Sequence, residues 1–238
     1  MSWRRSVFPQ ILQHPENEEV MEERRMKELD LHGISFMRPV REGTSEWYYA
    51  MDYDNGDIYE AQEIYGHNGH VAGNRLYLIH YPDAQVIEPL ASASNVAIGE
   101  PVFYENRISF ISVDFEKECI CIHTFDCEKK DLQMLDKIHL SSVKNCLNLR
   151  LFEHPLTLTR QGNDGTLDLV WPEKRTIKIG ERESFFYLED NKLYFNRWDE
   201  DPAYREETVI RDKETGEIEE VFPGDIHIMP NGEIWHLF

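Results

Sequence analysis

The sequence predicts an all-β chain assembled from one repeated sheet unit. Three observations carry that expectation. From Gly33 to Phe238, short β-type runs alternate with Asn-, Gly- and Asp-bearing turns, and no helical periodicity interrupts them. Two hairpin phrases recur through this region. The landmarks Asp52, Asp83, Asp126, Pro172 and Asp212 succeed one another at steps of 31, 43, 46 and 40 residues, the scale of a four-stranded repeat.

Residues 1–14 are irregular. "PENEEVMEERRMKELDLHG" then reads as a helix, with Pro15 at its start, acids in its first turn and Gly33 as its stop. Val20, Met21, Met26 and Leu29 give it only a thin apolar stripe, so it is expected as a surface extension covering residues 1–45. The β region occupies 46–238.

The first phrase is an apolar strand, a tight Asn- or Gly-bearing turn and a strand with aromatics. It occurs around Asn74, Asn106, Asn191 and Asn231, placing Asn or Gly where a hairpin needs positive φ. The second phrase, Asp-x-acid-x-x-acid-aliphatic, occurs at Asp52, Asp126 and Asp212, with weaker counterparts at Asp83 and Pro172. Residues 184–222 contain both phrases in order, 101–138 repeat them, and 147–179 do so less cleanly. The chain opens with the second phrase alone (Trp47–Ile64) and finishes with the first alone (Asp225–Leu237). Pairing these halves in one sheet would remove two exposed edges and close a ring.

On these repeats and turns, the chain from about Glu46 to Phe238 resembles a five-bladed β-propeller. Its turns are similar to the D-x-x-T-G-x-I turns of quinoprotein-like and surface-layer-type repeats. The resemblance is to an architecture and implies no activity. A two-sheet β sandwich with similar hairpins is the alternative.

The chain has 25 Lys and Arg against 45 Asp and Glu, a formal net charge of −20. That field repels phosphate backbones and anionic lipid, which argues against nucleic-acid and membrane-surface roles. No apolar run reaches membrane-spanning length, and the first residues lack an apolar signal core, so a cytoplasmic location is expected. Cys119, Cys121, Cys127 and Cys146 cluster in one region of a large chain and read as free thiols. Cys119, Cys121 and His123 share a strand face, which reads as packing between sheets and not as a soft-metal site.

In the propeller arrangement, the segments leading into the innermost strands gather at one mouth. These are 64–71, 96–103, 143–152, 177–186 and 221–228, and they bring His67, His70, Glu100, Arg150, Arg182, Glu183, Asp225 and His227 as candidate ligand-binding residues. His67 and His70, three apart in "HNGH", have the residue types for a zinc site, but no third ligand is fixed by spacing. Ordinary loop histidines are the better reading, and neither a metal nor a cofactor is expected. Five-bladed propellers include glycoside hydrolases with carboxylates round the channel, for which Glu100, Glu183 and Asp225 are the nearest candidates. No nucleophile elbow, Walker loop, dinucleotide fingerprint or H-E-x-x-H occurs. The expectation is a binding or scaffold module that uses the channel mouth, of mixed charge, or the acidic rim for a small polar or carbohydrate ligand, or a protein partner. Glycoside hydrolysis is the alternative.

Overall fold

A computed structural model of the chain describes residues 26–40, 43–229 and 231–238. Successive stretches of chain fold into five antiparallel sheets. The first holds β1 (Arg38–Pro39), β2 (Trp47–Met51), β3 (Leu76–His80) and β4 (Gln85–Ile87), with helix α1 (Ile58–Asn68) between β2 and β3. The second holds β5 (Val96–Ile98), β6 (Val102–Tyr104), β7 (Arg107–Asp114), β8 (Cys119–Asp126) and β9 (Asp131–His139); β5 and β6 pair with opposite ends of β7. The third is β10 (Leu149–Glu153), β11 (Leu156–Gln161), β12 (Thr166–Trp171) and β13 (Arg175–Lys178). The fourth is β14 (Glu183–Glu189), β15 (Lys192–Asp199), β16 (Arg205–Asp212) and β17 (Ile218–Pro223). The fifth has only β18 (Asp225–Ile228) and β19 (Ile234–Leu237). Five sheets form where a sandwich would have two.

The central strands read as near-continuous apolar runs because both of their faces are covered. β7 (RISFISVD) and β8 (CICIHTFD) are buried along nearly their whole length, whereas the outer strand β9 is mostly exposed. Cores lie between sheets that are consecutive in the chain. Trp47, Leu76 and Leu78 meet Ile108, Phe110 and Phe125 between the first and second sheets. Leu167, Leu169 and Ile177 meet Leu193, Phe195 and Val209 between the third and fourth. Tyr187, Tyr194 and Ile210 meet Ile226 of the fifth. Each fully buried side chain of this kind stabilises the fold by about 1.5–3 kcal/mol.

The hairpins expected at Asn106, Asn191, Asn231, Asp83, Asp126, Pro172 and Asp212 all join neighbouring strands. Those expected at Asn74 and Asp52 do not. The 52–75 connection holds α1, because Asp57 caps the helix by accepting from the Glu60 N–H and Glu60 returns a bond to the Asp57 N–H (both 2.9 Å). Gly69, at φ 68°, ends it. Ile58 and Ala61 bury their side chains in a core shared with the second and third sheets, including Ile111, Ile122, Leu151 and Leu158. Gln62 accepts from the Cys146 N–H at 2.8 Å.

Two further expectations are corrected. β2 pairs with β1 and β3, and β18 pairs with β19, so the ladder expected between 46–64 and 225–238 does not occur among the described residues. The helix expected over 15–33 lies outside the described residues as far as residue 25, and from Met26 to Gly33 the chain is not helical. Instead Leu29, Leu31 and Ile34 pack on Ala50, Tyr77 and Ile79, covering the far face of the first sheet. No helix among the described residues is long and apolar enough to cross a membrane.

Candidate functional site

Strand alternation sets up the site at β10. Leu149 and Leu151 turn into the core shared with α1, which leaves Arg150 between them on the open side. Arg150 lines a cavity of about 690 Å³ between the third and fourth sheets, together with Gln161, Asn163, Arg182, Glu183 and Trp198. It also lines two smaller spaces, of about 180 Å³ and 90 Å³, both shared with Glu100. The N-terminal end of α1, through Asp57 and Ile58, walls the first of these.

The charged groups around Arg150 are largely committed to one another. Glu183 is 3% exposed and receives a two-pronged ion pair from Arg211, with Nε to Oε2 at 2.9 Å and Nη2 to Oε1 at 3.0 Å. The Gly180 N–H adds a third bond at 3.1 Å, so this carboxylate is a structural anchor already accepting three hydrogen bonds. Arg182 is ion-paired to Asp199, which also holds Arg205 at 3.1 Å. Arg197 pairs with Glu207 at 2.6 Å. Arg150 has no hydrogen-bond or ion-pair partner among the described residues.

Between the first and second sheets, Glu100, in the β5–β6 connection, accepts from the Tyr53 hydroxyl at 2.7 Å and meets Arg38 at 3.4 Å. The Arg38 guanidinium lies 5.8 Å from the ring centroids of both Phe36 and Tyr53. Burial, reinforced by the Glu100 carboxylate, pushes the Tyr53 hydroxyl far above its usual pKa and keeps it a proton donor to Glu100. Arg38, Tyr53 and Trp198 were absent from the residues expected at the mouth. Their places depend on strand register and on the chain before residue 46, and no local motif marks them.

Of the eight expected residues, Arg150, Arg182 and Glu183 share the large cavity, and Glu100 joins Arg150 in the smaller ones. The other four lie elsewhere. His67 sits in the last turn of α1, its Nδ1 donating to the Glu63 carbonyl at 2.7 Å. The His70 Nδ1 donates to Asn95 Oδ1 at 3.0 Å. Asp225 and His227 belong to the fifth sheet and line none of these three spaces. The helix explains the separation of the histidines, since it carries them away from the strand lead-in they were assigned to. Glu100, Glu183 and Asp225 likewise share none of these cavities, so the three carboxylates expected round a channel do not face one space.

Among the described residues, no three His, Cys, Asp or Glu side chains are grouped as a metal site. Cys127 and Cys146 are buried, and burial pushes both thiols up to about 12. His123 is tied to Ser112 Oγ at 2.9 Å and stacks on Phe110 in the core, where burial lowers its pKa by disfavouring the charged form. No protein-family model matches the chain, and no curated protein matches it.

Proposed function

We propose that the five sheets are blades of one propeller and that the protein is a binding module for a small anionic, polyhydroxylated ligand held beside Arg150. The blade arrangement is supported by order: each sheet is one run of chain, consecutive sheets share a core, and β10 touches β6, β7 and β14, bringing strands at the leading edges of three sheets together. The fifth blade is a two-stranded partial one.

The observation that carries the ligand reading is the unpartnered guanidinium of Arg150 on the wall of three cavities. Arg150 is exposed to solvent but stands on a concave wall, where the field of a cation is focused and attracts an anion more strongly than on a flat surface. The neighbouring arginines already have carboxylates, and Glu181, which also lines the cavity, makes no ion pair with Arg150, so the Arg150 guanidinium is open to a ligand. The large cavity falls in the size range of small-molecule sites, and its lining is rich in amides, hydroxyls and charges, which suits a hydroxylated compound.

Calorimetric titration with small anions, both hydroxylated and plain, tests this. Arg150→Ala should weaken binding by roughly tenfold to a hundredfold, the worth of a charge-assisted hydrogen bond. Equal affinity in wild type and variant, or no binding of any anion, removes the reading.

A further inference from the structure

We infer that the ligand of the large cavity is a sugar acid, held with its carboxylate on Arg150 and a pyranose face on Trp198. This rests on the anion-binding reading above and adds the identity of the rest of the ligand.

Trp198 stands near the end of β15 and lines the same cavity as Arg150. It is 42% exposed. The other described tryptophans have their indoles engaged: Trp47 packs on His80 and Phe125, the Trp171 Nε1–H donates to Asp136 at 2.7 Å, and the Trp235 Nε1–H donates to Glu233 at 3.2 Å. Trp198 has neither a ring partner nor an Nε1 acceptor among the described residues. Its strand neighbours Arg197 and Asp199 point to the other face and are satisfied by Glu207 and by Arg182 and Arg205. A large indole on a concave wall, with nothing stacked on its ring, leaves that ring open to a ligand.

An indole needs a flat apolar surface with polar edges as its partner, and a pyranose ring offers one: axial C–H groups on a face, hydroxyls round the rim. The rim would meet Asn163 and Ser184, whose side chains make no hydrogen bonds among the described residues. Gln161 is not available to a ligand, because it donates to the Glu183 carbonyl at 2.6 Å and accepts from the Phe185 N–H at 2.8 Å. One free guanidinium matches one carboxylate in a two-pronged pair, whereas a phosphate monoester would bring close to two charges. A uronic acid combines the carboxylate, the ring face and the hydroxyl rim in one molecule.

The test titrates the full chain with galacturonic and glucuronic acids, as monosaccharides and trimers, using galactose, acetate and inorganic phosphate as comparators. Binding is read by calorimetry and by tryptophan fluorescence. A uronate should bind at least about tenfold more tightly than galactose or acetate. Trp198→Ala should weaken it by roughly five- to tenfold, and Trp198→Phe should restore most of that loss. If acetate or phosphate binds as well as the uronates, or Trp198→Ala binds them like wild type, the sugar-acid inference fails while the anion site at Arg150 stands. If galactose matches the uronates, or no anion binds at all, both fail.

Discussion

Two stretches of this molecule, Met51–Ala61 and Ile210–Val221, carry nearly the same order of Asp, Gly, Ile and Glu, yet they leave their strands in opposite ways. The later one folds straight back. Asp212 Oδ1 accepts from the Thr215 N–H at 2.7 Å, the Asp212 N–H bonds the Glu217 carbonyl, and Gly216 takes a positive φ of 74°. The earlier one also has a Gly at positive φ, Gly56 at 70°. Its leading aspartate, however, looks away from its own turn. Asp52 Oδ2 accepts from the backbone N–H and Nε of Arg75 at 3.0 Å and 3.1 Å, closing a connection of more than twenty residues.

The first difference is one methylene after the glycine. Gly56 is followed by Asp57, a short acid that reaches back over the first helical turn; Gly216 is followed by Glu217, a poor N-cap. Three residues past Asp57 comes Glu60, completing a capping box, and then Ala61, Gln62 and Glu63 favour helix. Past Glu217 the chain runs into Val221 and Phe222, which favour a strand. Glycine and aspartate in similar spacing thus mark a turn without specifying whether a helix or a strand comes next.

The largest way to separate the two regions is at the arginine beside each aspartate. Arg211 leads into the later turn, where its Nη1 donates to the Gly216 carbonyl and its other nitrogens hold buried Glu183. Arg211→Ala should cost about 3–5 kcal/mol in urea unfolding, because it strands a buried charge. Arg75→Ala should shift the unfolding midpoint far less, since the Asp52–Arg75 pair is partly open to water. Similar losses at both sites would show that the earlier connection is anchored as firmly as the later.

A smaller effect isolates the cap. Asp57→Ala should cost about 1 kcal/mol and speed hydrogen exchange of the amides in 58–64, with β15–β17 unaffected. Protection unchanged in 58–64 would mean that packing alone holds α1.

The smallest is a pH dependence of the later turn. The Thr215 N–H holds the Asp212 carboxyl below its ordinary pKa, so the stabilisation is fully present above the unfolded value of about 3.9 and is lost as pH falls through the lower folded value. The melting temperature of wild type should therefore drop more than that of Asp212→Asn on acidification below about pH 4. Parallel curves for the two proteins would remove the aspartate turn as a source of acid sensitivity.

The turns were legible because Asn, Gly and Asp act locally: Asn106 and Gly216 take positive φ, and Asp212 accepts from the Thr215 N–H three residues on, while at the Asn191 turn the positive φ falls on Asp190. α1 was not, since only Ile58 and Ala61 are buried along it and two such positions leave no stripe to read. That miss carried His67 and His70 to the wrong place. Arg150 and Arg182 were legible as polar residues in segments leading into new sheets, but the commitment of Arg182 depends on Asp199 in the next strand, and no local signal marks Arg150 as lacking such a partner. Trp198 is one of many strand aromatics in the sequence and could not be singled out there, because a half-exposed tryptophan and a buried one have the same strand pattern.

The bond from the Cys146 N–H to Gln62, and the core that α1 shares with the second and third sheets, have a consequence for cooperativity. A row of units that touch only their neighbours unfolds as a one-dimensional chain, in which any unit at an end can open alone. Helix α1 belongs by connectivity to the first sheet but packs as far as the third, so it couples next-nearest neighbours. Among the described residues the first three sheets share this helix, whereas the fourth and fifth share apolar cores only with their neighbours in the chain, so opening should begin from the C-terminal end.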